Sequence, residues 1–201
     1  MKKWLPLIII IVLLIIGYSW FKSVNNTAVV NQEDAKTAWS NVESAYQRRS
    51  DLIGNLVKTV QGAADFEKST LTDVINARAK ATSVNIDASN LTAASMAQFQ
   101  QAQTGLTGAL SKLLVSVERY PQLKANQNFL ELQSQLEGTE NRINVARDRF
   151  NAGVNTYNKH IKKFPASLLA GMLGFEEMDR FKAKQGAEDA PDVNFDFNKK
   201  E

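Results

Sequence analysis

A chain with one histidine and no cysteine has few routes to covalent chemistry. The histidine, His160, is preceded at one-turn spacing by Tyr157. A di-metal helical bundle needs inward-pointing Glu-x-x-His pairs, so that pattern is excluded. A Ser-His-acid triad could draw only on His160, and no nucleophile elbow surrounds any serine. There is no Gly-rich phosphate loop and no GK[ST]. Without cysteine there is no thiolate nucleophile, no disulfide, no thiolate metal site and no N-terminal Cys to carry a lipid. We therefore expect no catalytic residue, no metal and no cofactor. The residual enzyme reading is a helical hydrolase using carboxylates such as Glu140 and Asp51.

The residue types that do stand out are polar ones beside apolar seams. Arg49 falls on a seam position, within Gln47-Arg48-Arg49-Ser50-Asp51, and Asn55 follows. Glu140 and Arg147 are seven apart, hence on one helix face, with Ile143 between them and Asn158 further on. A buried charge costs several kcal/mol unless it is paired. Arg49, Asp51, Asn55, Glu140, Arg147 and Asn158 are thus expected to form a polar layer that fixes helix register, with Arg49 paired to Glu140. The same residues would line a pocket if the bundle bound a ligand.

The elements that must position them begin with an apolar run. Trp4 to Phe21 is 18 residues without charge, and ten of the eleven from Leu7 to Gly17 are Ile, Leu or Val. At ~1.5 Å per residue it spans ~27 Å, close to a bilayer's apolar core. The anchor residues are Trp4, Leu5, Leu7, Ile8, Ile9, Ile10, Ile11, Val12, Leu13, Leu14, Ile15, Ile16, Tyr18, Trp20 and Phe21. The aromatic ones sit at its ends, as rings at water–lipid boundaries do. Lys2 and Lys3 precede the run and Lys22 alone follows closely, which puts the N-terminus inside and residues 22–201 outside the cytoplasmic membrane. Gly17-Tyr18-Ser19 is a poor small-x-small site for a cleaved signal peptide. With only three residues before the run, no cytoplasmic output domain is expected.

Beyond it, the expected organisation is a stub and anchor over 1–22, a polar link over 23–30 that either breaks the anchor helix or is crossed by it without a break, a bundle over 31–182 and a polar tail over 183–201. Asn31 is the expected cap of helix A, about 31–64. Ala35, Trp39, Val42, Tyr46, Arg49, Ile53, Leu56, Val60 and Ala63 step by four and three, a heptad seam. Helix B covers 67–87, with Leu71, Val74, Ile75, Arg78 and Ala81 on one face, and Asn85 to Asn90 turn the chain. Thr92 caps helix C, about 92–120, striped by Phe99, Ala102, Leu106, Leu110, Leu113, Val117 and Tyr120. Pro121 cannot extend it normally. Helix D, about 126–163, has Phe129, Leu132, Leu136, Thr139, Ile143, Ala146, Phe150, Gly153, Tyr157, His160 or Ile161, and Phe164 in its seam. A short apolar helix follows from Ser167 to Phe175, and Val193, Phe195 and Phe197 alternate in the tail. The fold class is all-α: one N-terminal transmembrane helix, then an elongated antiparallel bundle of about four long helices.

The net charge of +3 does not indicate nucleic acid. Two of the 24 basic side chains are Lys2 and Lys3, which leaves 22 against 21 acidic ones, an almost neutral remainder. A nucleic-acid binder normally shows a basic face.

Tyr46-Gln-Arg-Arg-Ser-Asp-Leu-Ile-Gly-Asn-Leu-Val57 resembles the first signature of the LemA family. Tyr120-Pro-Gln-Leu-Lys-Ala-Asn-Gln-Asn-Phe-Leu-Glu-Leu-Gln133 resembles the second. Leu136-Glu-Gly-Thr-Glu-Asn-Arg-Ile143, Arg149-Phe-Asn151, Tyr157-Asn158, Phe164-Pro165 and Gly174-Phe175 resemble the third. Gly54 departs where Pro is expected, and Phe150 stands where Tyr is common. The resemblance implies one membrane helix and an exported helical domain, and brings no catalytic residues. The leading functional expectation is a membrane-tethered interaction or scaffold module of the cell envelope. Its partners would be membrane lipid through the N-terminal helix and either an envelope protein or a second copy. The alternative is a sensory or ligand-binding bundle coupled to a separate membrane partner. A lipid contact by Leu168–Phe175 would be a variant of the first.

Overall fold

The computed structural model describes residues 4–62, 66–88 and 91–182. Among them are six helices and no strand: α1 (Leu5–Gln61), α2 (Lys68–Ser83), α3 (Ala93–Val117), α4 (Pro121–Lys124), α5 (Gln127–Lys162) and α6 (Ala166–Met172). The four long helices run up, down, up and down. Arg49 meets Glu140 while Val24 meets His160, so α1 and α5 are antiparallel. Gln103 reaches the Ala81 carbonyl and Arg119 reaches Glu67, so α2 and α3 are antiparallel too.

The anchor and helix A are one element. α1 is a single helix of 57 residues, ~85 Å at the standard rise. Of the two arrangements open for residues 23–30, the uninterrupted helix holds, and Asn31 lies inside α1 and does not cap it. The physical reason is local: residues 23–30 contain neither Gly nor Pro, and Ala28 is buried against Tyr157, Ile161 and Ala170. From Leu7 to Ile16 every side chain is 47–67% exposed. One stretch of α1 is thus long and apolar enough to cross a membrane, and none of it is buried in the protein.

The remaining boundaries follow their caps. Thr92 and Ser95 form a reciprocal capping box at the start of α3, which satisfies N–H groups the helix cannot. Asn126 Oδ1 accepts from the Phe129 N–H at the start of α5. Helix B ends at Ser83 and helix C at Val117, shorter than expected, and Pro121 opens the single turn α4.

Every described position of the α1 seam, Ala35 through Val60, is buried. Three apolar clusters stack along the bundle. One, at the far end, joins Ile53, Leu56 and Val60 to Val74, Leu113 and Phe129. A middle one surrounds Trp39, Phe99 and Phe150. The third, nearest the anchor, holds Ala28, Tyr157, Ile161 and Ala170. Two seam expectations fail: Ile75 is 43% exposed and Phe164 is 80% exposed. In α5 the buried residue of the last turn is Ile161, and Val154, not expected in the core, is fully buried. Gly153 allows close packing, since a Cβ there would sit 3.4 Å from Ala35 Cα. Ala63, Asn90 and residues 183–201, with Val193, Phe195 and Phe197, lie outside the described residues.

Candidate functional site

The polar crossing is built on Arg49, whose seam position drives its stem into the core. Its side chain is only 6% exposed, while Glu140 across the helix pair is 52% exposed. Arg49 Nη1 donates to Glu140 Oε2 at 2.9 Å. Its Nη2 donates to Gln103 Oε1 at 3.0 Å and to the Gln103 carbonyl at 3.3 Å. One guanidinium thus ties α1 to α3 and α5. Its Nε is buried without a partner, as is Ser50 Oγ next to it.

Tyr46, one turn earlier, lies under the guanidinium, 5.2 Å from ring centroid to Arg49 Cζ. Burial pushes the Tyr46 phenol above its ordinary value, against the opposing pull of Arg147 and Arg49. The ring therefore stays neutral and can donate a hydrogen bond at any physiological pH. Arg147 borders the same space, a cleft of about 350 Å³ that Lys182 also lines. Three cations and one carboxylate make this rim net positive.

The expected layer does not assemble whole. Arg49, Glu140 and Arg147 come together around Tyr46. Asp51 faces α2 instead: it accepts from Gln47 at 3.0 Å and lies 3.7 Å from Arg78. Asn55 is exposed. Asn158 is far down α5 and holds backbone, with its Nδ2 on the Met178 carbonyl at 2.8 Å and its Oδ1 accepting from the Met178 N–H at 3.1 Å. Five of these six residues lie one helix turn or less from a seam, and spacing alone does not say which neighbour each one faces.

Sequence reasoning missed a strap. Residues 175–182 carry no helix and run back along α5. Asn151 repeats the Asn158 contact one heptad away, holding the Phe181 carbonyl at 3.3 Å and N–H at 2.9 Å. Seven helical residues rise ~10.5 Å and three extended residues about the same, so Asn151 and Asn158 match Phe181 and Met178 in pitch. Tyr157 Oη donates to the Glu176 carbonyl at 2.9 Å. Phe181 ends inside the middle cluster, stacked 5.8 Å from Trp39 with Arg147 4.4 Å above its ring. The Asn-x6-Asn spacing was the available signal.

A second cleft, about 890 Å³, opens between α1 and the α2–α3 pair and is lined by Glu43, Ser50, Asp51, Asn85 and Gln103 among others. Burial raises the Glu43 carboxyl above its ordinary value. Among the described residues no group of three or more His, Asp or Glu is placed to hold a metal ion.

The family model described as LemA family matches residues 38–195. The chain belongs to the LemA family. Protein LemA of Metamycoplasma hominis is 24% identical, over 88% of this chain and 78% of that protein. Magnetosome protein MamQ of Magnetospirillum gryphiswaldense is 30% identical, and MamQ 1 of Paramagnetospirillum magneticum 29%, each over 79% of this chain. The chain spans 65% of the length of those magnetosome relatives. In the structure the first and third of the segments that resemble LemA signatures meet. The first supplies Tyr46 and Arg49, and the third supplies Glu140 across the crossing and Asn151, Tyr157 and Asn158 beneath the strap.

Proposed function

We propose that this LemA-family chain is a single-pass, membrane-anchored helical module that presents its bundle outside the cytoplasmic membrane to an envelope protein or a second copy. The observation that carries the reading is the continuity of α1: its first third is apolar with nothing packed on it, and its remainder is core. A helix exposed all round in apolar side chains suits lipid. Without a break before the bundle, α1 acts as a strut that fixes the height and tilt of the helical surfaces. The activity is binding, and catalysis has no part in it.

The absence of cysteine supplies the test. Ser134→Cys, far from the anchor, is expected to react with a membrane-impermeant maleimide in intact cells. Reaction only after lysis would overturn the topology. Photo-crosslinkers at Leu130 and Val145, each 49% exposed on α5, are expected to give one reproducible protein adduct. Monomer alone would overturn the interaction role.

A second reading, a ligand-binding bundle, is favoured by the cleft of about 890 Å³ and the buried, unpartnered Ser50 Oγ on its wall. Native mass spectrometry of protein from its own membranes would show a bound small molecule if this reading holds. A bare chain mass would remove it.

A further inference from the structure

α6 is inverted relative to a soluble helix. It buries its small residues, Ala166 at 7% and Ala170 at 8% exposure, and turns out Leu168 at 62% and Met172 at 84%. Phe164, a further four residues back, is 80% exposed. Steps of four put Leu168 and Met172 on one side of the helix, so the exposed side is continuous and apolar.

Its place in the fold says what covers it. α5 descends toward the anchor. His160 Nε2 donates to the Val24 carbonyl at 3.0 Å, since a carbonyl can only accept, and Ala170 packs with Ala28, Tyr157 and Ile161. Val24 and Ala28 lie three and seven residues past Phe21, ~4.5 and ~10 Å along α1. Beyond His160 the chain continues in the same direction through Lys162 before Phe164. The headgroup layer extends ~5–8 Å beyond the hydrocarbon on each side, and interfacial helices sink their apolar faces ~5–10 Å into it. Phe164 therefore hangs at headgroup depth beside the anchor, and α6 leads from there to Ala170 at the level of Ala28, at the outer edge of that layer.

We propose that the apolar side chains of Phe164, just before α6, and of Leu168 and Met172 within it insert into the lipid headgroup layer around α1, a second membrane contact that fixes which side of the bundle faces the bilayer. This rests on the anchor reading above. With α1 alone in the membrane, any side of the bundle can lean toward the bilayer. With α6 inserted, one side of the bundle always faces the bilayer and the α2–α3 side stays free. Apolar area carries the contact: Phe164, Leu168 and Met172 bear no charge, Lys162 is paired with Glu177 at 2.6 Å, and the exposed Lys163 can meet the phosphate of any phospholipid, zwitterionic or anionic.

The test uses the full chain in phosphatidylcholine bilayers, with an environment-sensitive fluorophore on single cysteines at Leu168→Cys, Met172→Cys, Ile11→Cys and Ser134→Cys. Quenchers are nitroxides on the lipid chains and aqueous iodide. Loss of emission to lipid nitroxide is expected at Ile11 and at one or both α6 sites, and to iodide alone at Ser134. Anionic lipid is expected to leave that loss unchanged. If both α6 probes behave like Ser134 while Ile11 is lipid-quenched, the proposal is overturned and the anchor stands. If Ile11 is not lipid-quenched, the anchor reading itself fails. If the α6 probes are shielded from iodide yet insensitive to lipid nitroxide, protein covers the face, and the proposal is overturned in favour of a second copy.

Discussion

Replacing Glu140 by Gln separates a paired charge from the core it serves. The carboxylate accepts from Arg49 Nη1 at 2.9 Å, and the guanidinium it meets is nearly buried. An ion pair with ~4 Å between charge centres at an effective dielectric of 20 is worth about 4 kcal/mol before desolvation. Glu140 is 52% exposed, so water screens much of that, and a charge-assisted hydrogen bond contributes ~1.5–3 kcal/mol net. Glu140→Gln is expected to cost about 1–2 kcal/mol, at the lower end of that range. Arg49→Met is expected to cost about 1–3 kcal/mol: it keeps the apolar stem and lets Glu140 hydrate freely, but it leaves the buried Gln103 Oε1 without its donor. In Arg49→Met, adding Glu140→Gln should change nothing. The double-mutant cycle thus predicts a coupling of about 1–2 kcal/mol, read from urea midpoints of the full chain in mild detergent by far-UV circular dichroism. Additivity within about 0.3 kcal/mol would refute the pairing. It would mean that Gln103 alone holds the guanidinium.

Three further outcomes follow from the geometry. Asn158→Ala removes both hydrogen bonds to Met178, a loss of about 1–3 kcal/mol. Hydrogen exchange at the Met178 amide should accelerate, and Asn151→Ala should do the same at Phe181; unchanged protection would show that the strap is held by packing alone. Gly153→Ala should stabilise by up to about 1 kcal/mol through helix propensity, since its Cβ would meet Ala35 at an ordinary 3.4 Å. Gly153→Leu should cost about 1–3 kcal/mol by overpacking, and equal effects of the two in thermal melts would refute the close-approach reading. Burial, with Glu176 adding to it at Tyr157, raises the Tyr46 and Tyr157 phenols above 10.0. A raised folded value means tighter proton binding in the folded state, so that stability is whole below pH 10 and is lost as pH rises beyond it. Tyr46→Phe should blunt the alkaline decline in urea midpoint; an identical decline would rule out Tyr46 as a source.

The seam of α1 was legible because burial on one helix face leaves a strict four-three trace, and Ala35 to Val60 are all buried. Arg49 was legible for the same reason, as the one charge on that trace. Whether the helix breaks before Asn31 was not legible, because polar residues at 23–30 resemble a link in composition, whereas helix continuity depends on lacking Gly and Pro and on what packs against Ala28. Asp51, Asn55 and Asn158 were misplaced because a helical wheel gives an angle and no partner. The strap left little trace: its hydrogen bonds go to backbone, which any sequence offers, so only the Asn151–Asn158 spacing and Phe181 mark it.

A seam of alternating fours and threes is nearly degenerate under a shift of one heptad, so apolar pattern alone does not fix how α5 sits on α1. The polar and small residues remove that degeneracy. Sliding α5 by seven residues one way would bring Arg147 to the level where Glu140 now meets Arg49, setting two cations together in a buried site. The same slide would replace Gly153 by His160 against Ala35, where the backbone approach already leaves only 3.4 Å to a Cβ. Sliding the other way would offer Gln133 to Arg49 and leave a buried cation without a counter-charge, which costs several kcal/mol. Register in turn sets where α5 ends. One heptad is ~10.5 Å, more than the thickness of a headgroup layer, so a shifted bundle would carry α6 either out of the interface or into the hydrocarbon. With α6 inserted as proposed, the Arg49–Glu140 crossing acts at a distance on that end of the molecule, by fixing the height at which it is built.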